Sequence, residues 1–65
     1  MQVIINGQDT SIDEGESVAD LVESLGLHGK IAVEINREII PRSQFTMHII
    51  REGDVIEIVK AIGGG

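Results

Sequence analysis

MQVIINGQDTSIDEGESVADLVESLGL, residues 1–27, holds the two patterns that decide the fold. In its first five residues Met1, Val3 and Ile5 alternate with Gln2 and Ile4, the period of two expected of a strand. Asn6-Gly7 then supplies the positive φ angles of a two-residue type I′ turn. A second strand over roughly Gln8 to Ile12 follows, so that Met1, Val3 and Ile5 meet Thr10 and Ile12 across a hairpin, on what is the core face. Asp13-Glu14-Gly15-Glu16 breaks that strand. Ser17 is placed to cap a helix, with Asp20 three residues on as a weaker form of the capping box. Val18, Leu21, Val22 and Leu25 recur at i, i+3, i+4 and i+7, one apolar stripe, while Asp20, Glu23 and Ser24 point elsewhere. Gly26 ends the helix in a left-handed C′ position, and Leu27 folds back on Val22 as a Schellman motif requires.

Beyond the helix the pattern returns to strands. Lys30 to Asn36 reads as a half-buried third strand with Ile31, Val33 and Ile35 on one face, and Asn36-Arg37-Glu38 turns it. Ile39-Ile40 is a short apolar piece that Pro41 stops, because proline cannot donate to a ladder. Arg42 to Met47 is irregular or a short helical turn. His48-Ile49-Ile50 is expected to pair with Val55 to Lys60 through the turn Arg51-Glu52-Gly53-Asp54. In that last strand Ile56 and Ile58 face inward, and Glu57, Val59 and Ala61 outward. A helix of about two turns cannot stand alone, and a sheet with one apolar face needs a cover. The order therefore predicts an α+β fold in which a mixed four- to five-stranded sheet packs on one helix, with the first and last strands parallel at the centre. That is the β-grasp arrangement.

Composition bounds the function. Sixty-five residues make one domain near the lower size limit for an unstapled core. With no cysteine, neither a disulfide framework nor a thiolate metal site can add stability. Phe45 is the only aromatic residue, so stacking platforms for bases or sugars are missing. Eleven acidic residues against five basic give a formal charge of −6, which repels nucleic acid and anionic membrane surfaces. Met1 to Asn6 carry no Lys or Arg ahead of an apolar stretch, and the expectation is an untargeted cytoplasmic protein.

The sequence ends Lys60-Ala61-Ile62-Gly63-Gly64-Gly65. At an average glycine usage of about 7%, three in a row at a chosen position has a chance probability of roughly 0.03%, so chance is an inadequate explanation. A glycine-rich end can be only a loose tail. It can equally thread a narrow channel and present a free carboxylate, since no Cβ stands in the way. We read residues 1–62 as the folded domain and 63–65 as a flexible tail bearing the reactive carboxylate.

Ile31-Ala32-Val33-Glu34-Ile35-Asn36, Ile40-Pro41-Arg42, Gly53-Asp54-Val55-Ile56-Glu57-Ile58-Val59 and the terminal glycines, in this order and spacing, resemble the ThiS family of sulfur carriers within the ubiquitin-like group. Where that family commonly has a larger residue before its glycines, this chain has Ala61-Ile62. The resemblance implies a carrier in thiamin biosynthesis and not an enzyme. Gly65 would be adenylated with ATP by an E1-like adenylyltransferase of the ThiF type. A cysteine desulfurase relay would supply sulfur to form a thiocarboxylate, and thiazole synthase of the ThiG type would take it. Gly63 and Gly64 would thread the channel, Glu57, Val59, Ala61 and Ile62 would meet the partner, and ATP would be used by the partner without a permanently bound cofactor. The molybdopterin-pathway sulfur carrier is a rival that is usually longer and fits the middle segments less well. A protein modifier joined through Gly65 and a non-covalent ubiquitin-like module are the other two classes.

Other signals have plainer readings. His28 and His48 lack the spacing of a metal pair. Glu14 and Glu16 precede a helix N-terminus, where negative charge is favoured. Ser17 has no nucleophile-elbow glycines and is better explained as a cap. Pro41-Arg42 either contacts a partner or only ends a strand.

Overall fold

The computed structural model describes residues 1–60. Gln2–Ile5 (β1) and Gln8–Ser11 (β2) form the expected antiparallel hairpin, with Val3 opposite Thr10 and Ile5 opposite Gln8. Asn6 and Gly7 between them take φ of 49° and 83°, the left-handed pair that a type I′ turn demands. Val3 and Ile5 are buried, and Met1 and Ile12 pack against them from the hairpin's open end.

Val18–Ser24 (α1) is capped more completely than the weak box implied. The Ser17 hydroxyl accepts from the Asp20 N–H at 3.1 Å, and the Asp20 carboxylate accepts from the Ser17 N–H at 3.0 Å. The C-terminus closes as the glycine predicted: the Gly26 N–H donates to the Glu23 carbonyl at 2.9 Å and the Leu27 N–H to the Val22 carbonyl at 3.2 Å. Both bonds of a Schellman motif are present, with Gly26 at φ 70°. The apolar stripe is shorter than its spacing implied. Val18 and Leu21 are buried and Val22 is half-buried, but Leu25 is 46% exposed. The helix has only seven residues and Leu25 is already its C-cap.

Ile31–Ile35 (β3) and Glu38–Ile40 (β4) form a second hairpin, so the short apolar piece before Pro41 is an edge strand. A 3₁₀ turn over Arg42–Gln44 follows, then Val55–Lys60 (β5). The sheet order is β2-β1-β5-β3-β4. β5 lies at the centre, parallel to β1 (Ile4 with Val55, Ile5 with Ile56) and antiparallel to β3 (Ile31 with Lys60 through Ile35 with Ile56).

One expectation is corrected. His48-Ile49-Ile50 does not pair with β5, because both edges of β5 are occupied by β1 and β3. It pairs instead with the entry to the helix: Ile49 bridges Ser17, the Val18 N–H donates to His48, and the Ile50 N–H donates to Glu16, each at 2.9 Å. Ile50 thereby enters the core beside Phe45, Leu21, Val33 and Ile56. No buried side-chain polar atom among the described residues lacks a partner.

Candidate functional site

The element that leads to the glycines is β5, and two asparagines hold it in place. Asn6, left-handed in the β1–β2 turn, accepts from the Ile58 N–H at 2.8 Å and donates its amide to the Ile58 carbonyl at 3.2 Å. Its own N–H donates to Ile56 at 2.9 Å. The side chain thus extends the β1–β5 ladder after the backbone of β1 has turned away. At the other end Asn36, left-handed in the β3–β4 turn, accepts from the Val55 N–H at 3.0 Å and donates to the Asp54 carboxylate at 3.0 Å. β5 is therefore fixed at both ends by carboxamides.

On the sheet face away from the helix, alternation along β5 puts Glu57 and Val59 outward, as the sequence predicted, and Val55 with them. Val55 is 44% exposed and Val59 61%. The register adds neighbours that sequence reasoning did not find: Ala32 stands opposite Val59, Glu34 opposite Glu57, and Ile39, 63% exposed, opposite Glu34. A hollow of about 450 Å³ opens here between Glu34, Asn36, Arg37, Val55 and Glu57. Two features of it are unfavourable to the fold alone. Glu34 and Glu57 are like charges directly across a strand pair. Arg37 has φ 71°, a conformation disfavoured for a residue with a Cβ. The parity of β3 carried this information, but the register needed to use it did not follow from sequence.

Of the residues expected to act, Glu57 and Val59 are thus brought together on one exposed face. Ala61, Ile62, Gly63, Gly64 and Gly65, and the domain boundary after Ile62, lie outside the described residues. Among the described residues no three His, Asp or Glu side chains are grouped to hold a metal, and no helix is long and apolar enough to cross a membrane.

A mixed five-stranded sheet with β1 and β5 parallel at its centre, β2 on one side, the β3–β4 hairpin on the other and one helix across its apolar face is a ubiquitin-like β-grasp domain. The ThiS family model matches residues 3–65, and the chain belongs to that family. It is 36% identical to the sulfur carrier protein ThiS of Escherichia coli, each covered over 100% of its length. It is 41% identical to the protein of the same name from Bacillus subtilis over 94% of this chain and 96% of that one. A thiazole synthase of Paramagnetospirillum magneticum is 39% identical over all of this chain, which spans only 20% of that protein. Among solved structures, the thiamine biosynthesis protein ThiS of Geobacter metallireducens superposes with a TM-score of 0.84 at 29% identity, with 100% of both chains covered.

Proposed function

We propose that this protein is a sulfur carrier of thiamin biosynthesis, acting in the cytoplasm, whose reactive group is the Gly65 carboxylate. The observation that carries the reading is the position of the glycines. β5 is the central strand and runs to Lys60, so only four residues separate a fixed strand from Gly65, and the family match continues through all of them.

The chemistry follows from what a carboxylate lacks. It is unreactive toward sulfur until its oxygen attacks the α-phosphate of ATP on an E1-like adenylyltransferase, releasing pyrophosphate and leaving an acyl adenylate. A persulfide sulfur from a cysteine desulfurase relay then attacks that carbonyl and expels AMP. Cleavage of the resulting acyl disulfide by a thiol leaves the thiocarboxylate. Gly63 and Gly64 allow close passage through a channel that a Cβ would obstruct. Thiazole synthase is the acceptor, a reading supported by the thiazole synthases that contain a stretch similar to this whole chain. Glu57 and Val59, with Ala61 and Ile62 beyond them, form the contact surface.

The test is incubation with ATP, a ThiF-type adenylyltransferase and a sulfur donor, read by intact mass. The unaltered chain is expected to exchange one oxygen for sulfur. Chains with one alanine appended after Gly65, or lacking Gly64 and Gly65, should melt normally yet remain unmodified. Conversion of the truncated chain to a thiocarboxylate would refute the terminal mechanism.

A further inference from the structure

The five basic residues of this acidic chain are unevenly placed. Lys60 closes β5 opposite Ile31, and Lys30 directly precedes Ile31. Arg42 reaches across from the 3₁₀ turn to donate to the Gly29 carbonyl. Lys30, Ile31, Ala32 and Arg42 line one cleft of about 310 Å³. Three cations therefore gather at the end of the sheet from which the chain continues to its glycines. Glu23, near the end of the helix, shares a hollow with Arg42. Arg37 and Arg51 lie at the opposite end, in the β3–β4 turn and the turn before β5. Asp13, Glu14, Glu16, Glu38, Glu52 and Asp54 are grouped at that far end, in the loop before the helix, at the start of β4 and in the last turn. The molecule is thus polar along β5, positive where the tail leaves and negative at the other end.

We infer that this cationic end docks against an acidic rim on the adenylyltransferase, around the mouth of the channel that receives the tail. The inference rests on the carrier reading above. Reach decides what the cations meet. Five residues fully extended span at most about 17 Å, so with Gly65 extended to the nucleotide the Lys60 backbone stands about that far from it and its ammonium meets protein sooner than phosphate. The apolar floor of Ile31 and Ala32 between Lys30 and Arg42 suits a carboxylate on a methylene stem. The outer sheet face, with Glu34 and Glu57, calls for the opposite charge. Two contacts of opposite sign, one beside the tail and one under the sheet, fix the carrier's rotation about the tail axis, which glycines alone cannot do.

Association with a ThiF-type adenylyltransferase, followed by stopped flow across ionic strength, tests this. Lys60→Glu should slow association at low salt about five-fold or more and flatten its salt dependence, with Lys60→Gln between it and the unaltered chain. Arg51→Glu makes the same change in net charge at the far end and should alter the rate less than about two-fold. If both reversals slow association equally, or Lys60→Glu has no effect, the cationic end is not a docking surface. If the unaltered chain is not adenylated at all, the carrier reading falls and this inference with it.

Discussion

Replacing Asn6 by glycine separates the side chain's grip on β5 from its role in the turn. Glycine keeps the positive φ of 49° but removes the carboxamide that pairs with both the N–H and the carbonyl of Ile58. Backbone pairing between β1 and β5 covers only Ile4 with Val55 and Ile5 with Ile56, so Ile58 has no other partner on that edge. Each of the two partly buried bonds is worth about 0.5–1.5 kcal/mol net, which puts the loss near 2 kcal/mol. For a domain this small that lowers the melting temperature by roughly 8–16 °C. Asn6→Ala should cost about 1 kcal/mol more, because alanine also resists the left-handed conformation. Thermal and urea denaturation give the total, and amide exchange at Ile58 locates it: a local loss of 2 kcal/mol raises exchange there roughly 30-fold. An Asn6→Gly protein that melts like the unaltered chain, with Ile58 still protected, would mean that the turn alone matters and that nothing beyond Ile56 is held by β1.

Leu21→Ala should cost about 2–5 kcal/mol, much of the stability of a domain this size, whereas Leu25→Ala should cost less than about 1 kcal/mol; comparable urea midpoints for the two would refute the corrected helix stripe. Arg37→Gly should stabilise by roughly 0.5–1 kcal/mol by relieving the left-handed strain, and a lower melting temperature would show that the arginine side chain contributes more than its backbone costs. Glu57→Lys should raise stability by about 0.2–1 kcal/mol by ending the opposition to Glu34, yet slow association with the adenylyltransferase; Asp13→Lys should do neither, and equal slowing by both would indicate a general charge effect.

How much of this was legible depended on whether the determining interaction was local. The Asn6-Gly7 turn, the Ser17 cap and the Gly26 closure each depend on residues within a few positions, and all three follow from the sequence. The inward placement of Ile56 and Ile58 followed because period-2 alternation needs no partner. What failed were competitions between distant segments. His48-Ile49-Ile50 is a good strand by composition, but β1 and β3 take both edges of β5, a choice set by the whole sheet. The Leu25 position failed for a related reason, since spacing gives the phase of a stripe but not the length over which something covers it. The candidate surface was half legible for the same cause. Glu57 and Val59 could be placed on the outer face from alternation, while Glu34, Ala32 and Ile39 enter it only through the register of β3. The clamping role of Asn6 was hidden behind its obvious one as a turn residue.

Several of the places where this chain disregards local rules share one surface, although Met47, Ile49 and Leu25 are exposed elsewhere. On the helix side the apolar residues of β1, β3 and β5 are buried, the cap is reciprocal and buried side-chain polar atoms are paired. On the outer side two carboxylates oppose each other, an arginine holds a left-handed turn position, and Val55, Val59 and Ile39 remain in water. A domain of this size has roughly 3–10 kcal/mol of stability in total. The opposed glutamates and the left-handed arginine together cost about 1–3 kcal/mol of it. Such costs persist where a second requirement acts on the same residues. On the carrier reading proposed above, contact with a partner is that requirement: a cation placed between Glu34 and Glu57 would turn their repulsion into attraction, and an apolar surface against Val55, Val59 and Ile39 would remove them from water. The concessions lie along β5, the strand that continues to the glycines, so the face that is costly in the free domain is also the face that would orient the tail in a complex.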